Sequence, residues 1–162
     1  MDGASAMIAT VMDDRIRSFL KANPSAAMTT LRANGTPHVA RIGLGILDGK
    51  IWSSGTQTRL RTKHLRRDAR ATLFVFESGY RWLGLETTVN ILEGPDVPQE
   101  TLRFMRSLQE NRDPKPTPGH VMWFGQEKTE EEFLEIMVEE QRLIYEFNVT
   151  RAYGIYVSHT SG

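Results

Sequence analysis

Two hydrophobic periods divide the chain. Over residues 10–20, Met12, Ile16, Phe19 and Leu20 fall on one face at helical spacing. Thr10 and Asp13 are placed as a capping box, and Asn23-Pro24 stops the segment. Beyond Pro24 the pattern shifts to alternation or to short apolar runs cut by turns. Residues 26–31 form a strand, Asn34-Gly35 a hairpin turn, and residues 37–47 a second strand. Gly43 and Gly45 inside that strand mark a bulge or a close approach of another backbone. Asp48-Gly49 turns the chain into a third strand over 50–54, which predicts a three-stranded antiparallel meander.

A short helix follows over 58–67, with Leu60 and Leu65 as its apolar contacts. Residues 71–76 make a fourth strand. Ser78-Gly79 leads into a long strand over 80–92, ended by Gly94-Pro95. Residues 98–111 are helical, with Leu102, Phe104, Met105 and Leu108 apolar. Residues 113–119 form a proline-rich loop closed to helix and central strand. Thr129 with Glu132 is a capping box opening a helix to about Gln141, and strands over 143–148 and 153–157 close the chain. Neither an internal repeat nor a linker interrupts this order, which predicts one domain over 1–162. The fold class is mainly β with helices, a closed or nearly closed β-barrel, with an open sandwich as the alternative. The strands are joined too tightly for βαβ crossovers, which argues against a Rossmann sheet.

Composition narrows the function. The chain has 162 residues, no cysteine, 40% hydrophobic and 25% charged residues, and 20 basic against 20 acidic side chains. Disulfide scaffolds, thiolate metal sites and cysteine nucleophiles are excluded. Net neutrality argues against bulk nucleic acid or an anionic membrane as the partner. The N-terminal stretch lacks a basic region and is broken by Asp13 and Asp14, and no apolar run nears the roughly 20 residues that span a bilayer. The expected location is the cytoplasm. His38, His64, His120 and His159 are scattered without a ligand spacing, so no metal site is expected, and no serine-nucleophile or Walker motif occurs.

The densest chemical signal is residues 53–70, where Arg59, Arg61, Lys63, Arg66, Arg67 and Arg70 face a single acid, Asp68. A strand running through Ser53, Ser54, Gly55 and Thr56 into a helix start offers hydroxyls and free backbone N–H groups at a positive dipole end. That arrangement favours a phosphate-like anion. The competing reading is a solvated basic face, balanced by the acidic stretch from Glu127 to Glu140. The acidic stretch itself carries a core stripe of Phe133, Ile136 and Met137 and reads as a solvated helix face. Tyr80 and Trp82, two apart after a turn, could stack a flat heteroaromatic ligand. An anion site without an acid–base pair is the profile of a protein whose cofactor does the chemistry.

The order of these pieces resembles a known family. Thr36-Pro37-His38-Val39 follows an Asn-Gly turn. After it come Asp48-Gly49-Lys50-Ile51-Trp52-Ser53-Ser54, the run from Arg59 to Ala71, and Tyr80-Arg81-Trp82. Together they are similar to the flavin/deazaflavin oxidoreductase superfamily, which shares the FMN-binding split barrel of pyridoxine 5'-phosphate oxidases. Leu65-Arg66-Arg67-Asp68-Ala69-Arg70 and the closing Arg142 to Glu146 and Val149 to Gly154 resemble its coenzyme F-420-dependent branch. The resemblance implies an oxidoreductase that passes a hydride from reduced F-420 to an unsaturated or heteroaromatic small-molecule acceptor. FMN is the alternative coenzyme, and a non-catalytic coenzyme carrier the alternative role. It also implies a homodimer with sites at the interface. Carried over by position, Arg59, Arg61 and Lys63 bind the phosphate and acidic tail, with Ser53, Ser54 and Thr56 beside the phosphate. Val39, Ala40, Arg41 and Trp52 flank the ring, and Tyr80 and Trp82 stand near the ring or substrate. The row at 59, 61, 63, 66 and 67 carries more cations than one phosphate needs, which favours the longer polyanion F-420 over FMN. No catalytic side chain is assigned.

Overall fold

The computed structural model describes residues 12–157. Helix α1 (Asp14–Ala22) precedes strands β1 (Ser25–Leu31), β2 (Pro37–Gly43), β3 (Gly45–Leu47) and β4 (Lys50–Thr56). Helix α2 (Leu60–Arg67), β5 (Arg70–Phe76), β6 (Trp82–Leu92) and α3 (Val97–Gln109) follow. The hairpin β7 (His120–Trp123) and β8 (Gln126–Thr129), helix α4 (Glu130–Glu139) and the long β9 (Arg142–Ile155) complete the chain. Seven strands form one antiparallel sheet in the order β2-β1-β5-β6-β9-β4-β3.

The sheet's two edges, β2 and β3, are consecutive halves of one segment joined through Leu44. Its side chain is buried, and its N–H donates to the Pro24 carbonyl at 2.9 Å. Because the edges share a chain, the sheet must curl until they meet, and β2 touches β4. This is the barrel that alternation predicted, and the expected meander is corrected. Both predicted hairpins form, β2 with β1 and β3 with β4, but the second predicted strand is split at Leu44 and its two halves lie at opposite ends of the sheet order. Gly45 does mark a close approach, but of side chains. A Cβ there would lie 2.3 Å from Leu108 Cδ2 and 2.6 Å from Phe104 Cε2.

Period-two burial fills the barrel. Met28, Leu73, Val75, Leu83, Leu85, Leu143 and Tyr145 point inward and are fully buried. The apolar face of α1 (Ile16, Phe19 and Leu20) packs onto the same core. Each such side chain contributes roughly 1.5–3 kcal/mol on burial. A second cluster, Trp52, Val97, Phe104 and Ile144, holds α3 against the barrel, and a third, Leu102, Val121, Phe133 and Met137, joins α3, β7 and α4.

Several expected boundaries move for local reasons. The N-cap of α1 is Asp13, whose carboxylate accepts from the Ile16 N–H at 3.0 Å; the expected partner Thr10 lies outside the described residues. Leu60 is 57% exposed, so Leu65 alone anchors α2 apolarly. Tyr80 sits in the turn before β6, not on the strand. The two closing strands are one, with the pairing to β6 slipping at Glu86/Thr87 so that Thr150 is left over as a bulge. The Thr129–Glu132 capping box forms as expected. No helix among the described residues is long and apolar enough to cross a membrane.

Candidate functional site

The site grows from the junction between β4 and α2. Gly55 lies beside the ring of Tyr145 on β9, and a Cβ at Gly55 would stand 2.4 Å from Tyr145 Cζ. Glycine therefore lets the buried tyrosine cross under the strand. The Thr62 hydroxyl donates to the Thr56 carbonyl at 2.6 Å and meets the Tyr145 hydroxyl. This contact clamps the first turn of α2 to the end of β4. The Tyr145 hydroxyl lies beside the Arg61 guanidinium and favours its charge. Burial pushes the Tyr145 phenol above its ordinary pKa, so it stays a protonated donor.

Arg61 is half-buried, and its Nε is buried without a partner. Burial holds its guanidinium below the ordinary arginine range; Tyr145 opposes this, and Arg59 and Arg142 add to it. A cation so placed, with an orphaned N–H and the like charge of Arg59 nearby, is short of an anion. It opens onto a groove of about 930 Å³. One wall is β2 (His38, Val39 and Ala40), and another is the junction itself (Thr56, Thr58, Arg59, Leu60 and Arg61). Phe124 and residues 139–142 make the third. Arg142 is tied to Glu140 at 2.7 Å, so that pair is already neutralised. Behind His38, the buried His64 packs edge-on at 5.1 Å and shares a 2.9 Å hydrogen bond with the Thr30 hydroxyl.

The predicted residues divide among several places. Val39, Ala40, Thr56, Arg59 and Arg61 line this groove together. Ser53 and Ser54 line a second groove of about 690 Å³, which shares Phe124 and Arg142 with the first. Arg41 is exposed on β2, and Lys63 is exposed on α2; both stand outside the described grooves. Trp52 is buried under α3, packed on Phe104 at 5.7 Å, and its indole N–H donates to Glu146 at 2.9 Å. Tyr80 is 71% exposed in its turn, and Trp82 lies in an aromatic row with Phe74 and Tyr153.

The expected row of cations is thus shorter than the sequence suggests. Arg66 forms a two-point ion pair with Glu93, Arg67 donates to the Leu31 carbonyl, and Arg70 pairs with Asp68. Arg59 and Arg61 alone of the basic run face the groove. His38, Thr58, Phe124 and Arg142 line it too; none of them is among the predicted site residues, although His38 and Arg142 fall in stretches that carry the family resemblance. Phe124-Gly125 turns, at positive φ, a hairpin that the pattern did not predict.

The sequence model of the pyridoxamine 5'-phosphate oxidase family matches residues 12–145. The chain belongs to this family. It is 30% identical over 115 residues to a biliverdin reductase of Mycobacterium tuberculosis (strain CDC 1551 / Oshkosh) that depends on reduced coenzyme F-420. The match covers 70% of this chain and 82% of that protein. Two solved structures share the split-barrel fold. One is a conserved hypothetical protein of M. tuberculosis (TM-score 0.63, 19% identity, 100% of this chain and 92% of that one). The other is an F-420 reductase (TM-score 0.59, 18% identity, 85% of this chain and 94% of that one).

Proposed function

We propose that the chain is a coenzyme F-420-dependent reductase that holds the coenzyme in the groove at the β4–α2 junction and delivers its hydride to a small unsaturated acceptor. The observation that carries this reading is Arg61, half-buried beside Arg59 with an orphaned Nε, a cradle that fits a phosphate. Arg59, Arg61, the hydroxyls of Thr56 and Thr58 and the first turn of α2 would hold the phosphate, and Val39 and Ala40 would flank the ring. Lys63 is exposed one turn on, where it meets the distal part of a long acidic tail. When bound, the coenzyme supplies the hydride. The protein's share is to neutralise the anion, fix the ring's position and exclude water around it. The 30%-identical relative favours F-420 over FMN.

The same reading includes a homodimer. Paired strands put Val39, Phe74, Phe76, Trp82, Tyr153 and Ile155 on the outer face of the sheet. Phe76 is 59% and Val39 62% exposed, a large apolar surface for a monomer. Val39 also lines the groove, so a second copy seated on this face would complete the site's wall.

Fluorescence titration of the purified protein with F-420, and a parallel absorbance titration with FMN, tests the coenzyme. F-420 binding at micromolar concentration is expected. Arg61→Ala should weaken it by about tenfold or more, the scale of a charge-assisted hydrogen bond, while the melting temperature barely moves. Tight FMN binding with no F-420 binding would transfer the site to FMN. A broad stability loss with intact binding would make Arg61 structural. Turnover with a panel of unsaturated acceptors separates a reductase from a carrier.

A further inference from the structure

The groove beside Ser53 and Ser54 has no part in holding the phosphate, yet it is built. Its walls are apolar, with Leu108 and Met105 of α3 on one side and Trp123 and Phe124 of the β7–β8 turn on another. Phe124 stands 78% exposed at φ 47°, a left-handed conformation that costs a bulky residue strain. The turn is gripped in that shape. The Gln109 side-chain amide donates to the Met122 carbonyl at 2.9 Å, and its oxygen accepts from the Met122 N–H at 2.8 Å, pinning β7 to α3. Trp123 lies edge-on to Phe124 at 4.9 Å, and the Arg142 guanidinium stacks over both rings at 4.9 and 5.8 Å. A strained aromatic held out over an apolar trough is a platform on which a flat ring can lie.

Two polar groups say what the ligand carries. The Ser54 hydroxyl is buried in the wall without a partner. Arg112, at the mouth, makes no ion pair among the described residues, whereas Arg142 is already matched by Glu140. A free guanidinium suits a carboxylate, which it can bind through two parallel hydrogen bonds.

We propose that this second groove seats the acceptor and selects flat conjugated molecules that carry a carboxylate, the ring against Phe124 and Trp123 and the carboxylate on Arg112. The assignment of the ligand as acceptor rests on the coenzyme reading above, because the two grooves meet at Phe124 and Arg142. The class of ligand rests on this groove alone.

Fluorescence anisotropy with 1-pyrenecarboxylate and its uncharged analogue 1-pyrenemethanol, on the intact protein with and without F-420 or FMN, tests it. The carboxylate should bind at least tenfold more tightly than the alcohol. Arg112→Gln should erase that difference and leave alcohol binding unchanged, and Phe124→Ala should weaken both probes. Arg61→Ala should spare both probes while it weakens the coenzyme. A protein that binds neither coenzyme but still discriminates the probes leaves the carboxylate site standing and defeats the coenzyme reading alone. Equal binding of the two probes, discrimination that survives Arg112→Gln, or displacement of the carboxylate by either coenzyme would overturn the proposal.

Discussion

Tyr145→Phe removes one oxygen from the centre of the anion site. The hydrogen-bond directions follow from the geometry. The Thr62 hydroxyl spends its proton on the Thr56 carbonyl, so at the Thr62–Tyr145 contact the phenol donates and Thr62 accepts. The phenol oxygen is then free to accept from Arg61. The phenylalanine ring still fills the space beside Gly55, and Thr62 keeps its bond to Thr56. The loss is one neutral bond, worth about 0.5–1.5 kcal/mol, and the acceptor of a half-buried cation, worth about 1.5–3 kcal/mol where solvent is fully excluded and less here. A total of about 1–3 kcal/mol corresponds to a melting temperature lower by roughly 2–12 °C at this chain length. The second effect is functional. Arg61 without its inner partner loses its fixed position, and F-420 affinity should fall by about tenfold, equivalent to about 1.4 kcal/mol. Thermal melts and fluorescence titrations of wild type, Tyr145→Phe, Arg61→Ala and the double variant measure both. In the Arg61→Ala background, Tyr145→Phe should cost no further affinity. Full additivity of the two affinity losses, or Tyr145→Phe binding coenzyme as wild type, would show that the tyrosine supports the barrel and not the arginine.

Other positions test the fold around the site. Glu146→Ala should destabilise the protein by about 1–3 kcal/mol in urea unfolding, because it strands the buried Trp52 indole N–H, while Glu146→Gln keeps an acceptor and should lose markedly less. Gly45→Ala should cost about 1–3 kcal/mol, since the new methyl meets the fully buried Phe104 ring; an unchanged melting temperature would mean that α3 yields freely. His64 resists protonation chiefly through burial, with His38, Arg67 and Arg32 adding to it. The unfolded chain therefore takes up a proton at this residue, near pH 6.5, at higher pH than the folded chain does, and stability should fall as pH drops below that value. The urea midpoint should drop less between pH 7.5 and 5.5 in His64→Gln than in wild type, and equal drops would contradict this.

The strands were legible where one face is buried and the other is not. β1 and β5 alternate along their whole length, and Asn34-Gly35 and Asp48-Gly49 each supply positive φ where the chain reverses. Pairing over distance was not legible. Residues 37–47 read as one strand because their composition is continuous, yet the break at Leu44 sends the halves to opposite edges. Only the barrel as a whole, with Leu44 in its core, imposes that break. The β7–β8 hairpin escaped for a different reason. Its second strand, Gln126–Thr129, buries no side chain fully and so carries no alternation.

The same distinction governs the site. A dense basic run on a short helix announces an anion site, because its composition is local. Which of its cations reach the groove is set by a single turn of α2. Arg61 faces Tyr145, while two residues on Lys63 points to solvent, and Arg66 and Arg67 are claimed by Glu93 and the Leu31 carbonyl. Those partners come from three different strands and loops, so spacing within the helix cannot separate a ligand-binding arginine from a structural one. The electrostatic case for a long polyanion therefore narrows to Arg59 and Arg61, with Lys63 beyond them. A coenzyme with a charged tail should then gain only modestly over one with a single phosphate, and the gain should reside in Lys63. Lys63→Ala should bring the affinity for F-420 with a long glutamate tail close to that for a tail-less form and leave the tail-less form unaffected. A tail-length preference that persists in Lys63→Ala would place the tail against another surface, with the exposed Arg41 of β2 the first to examine.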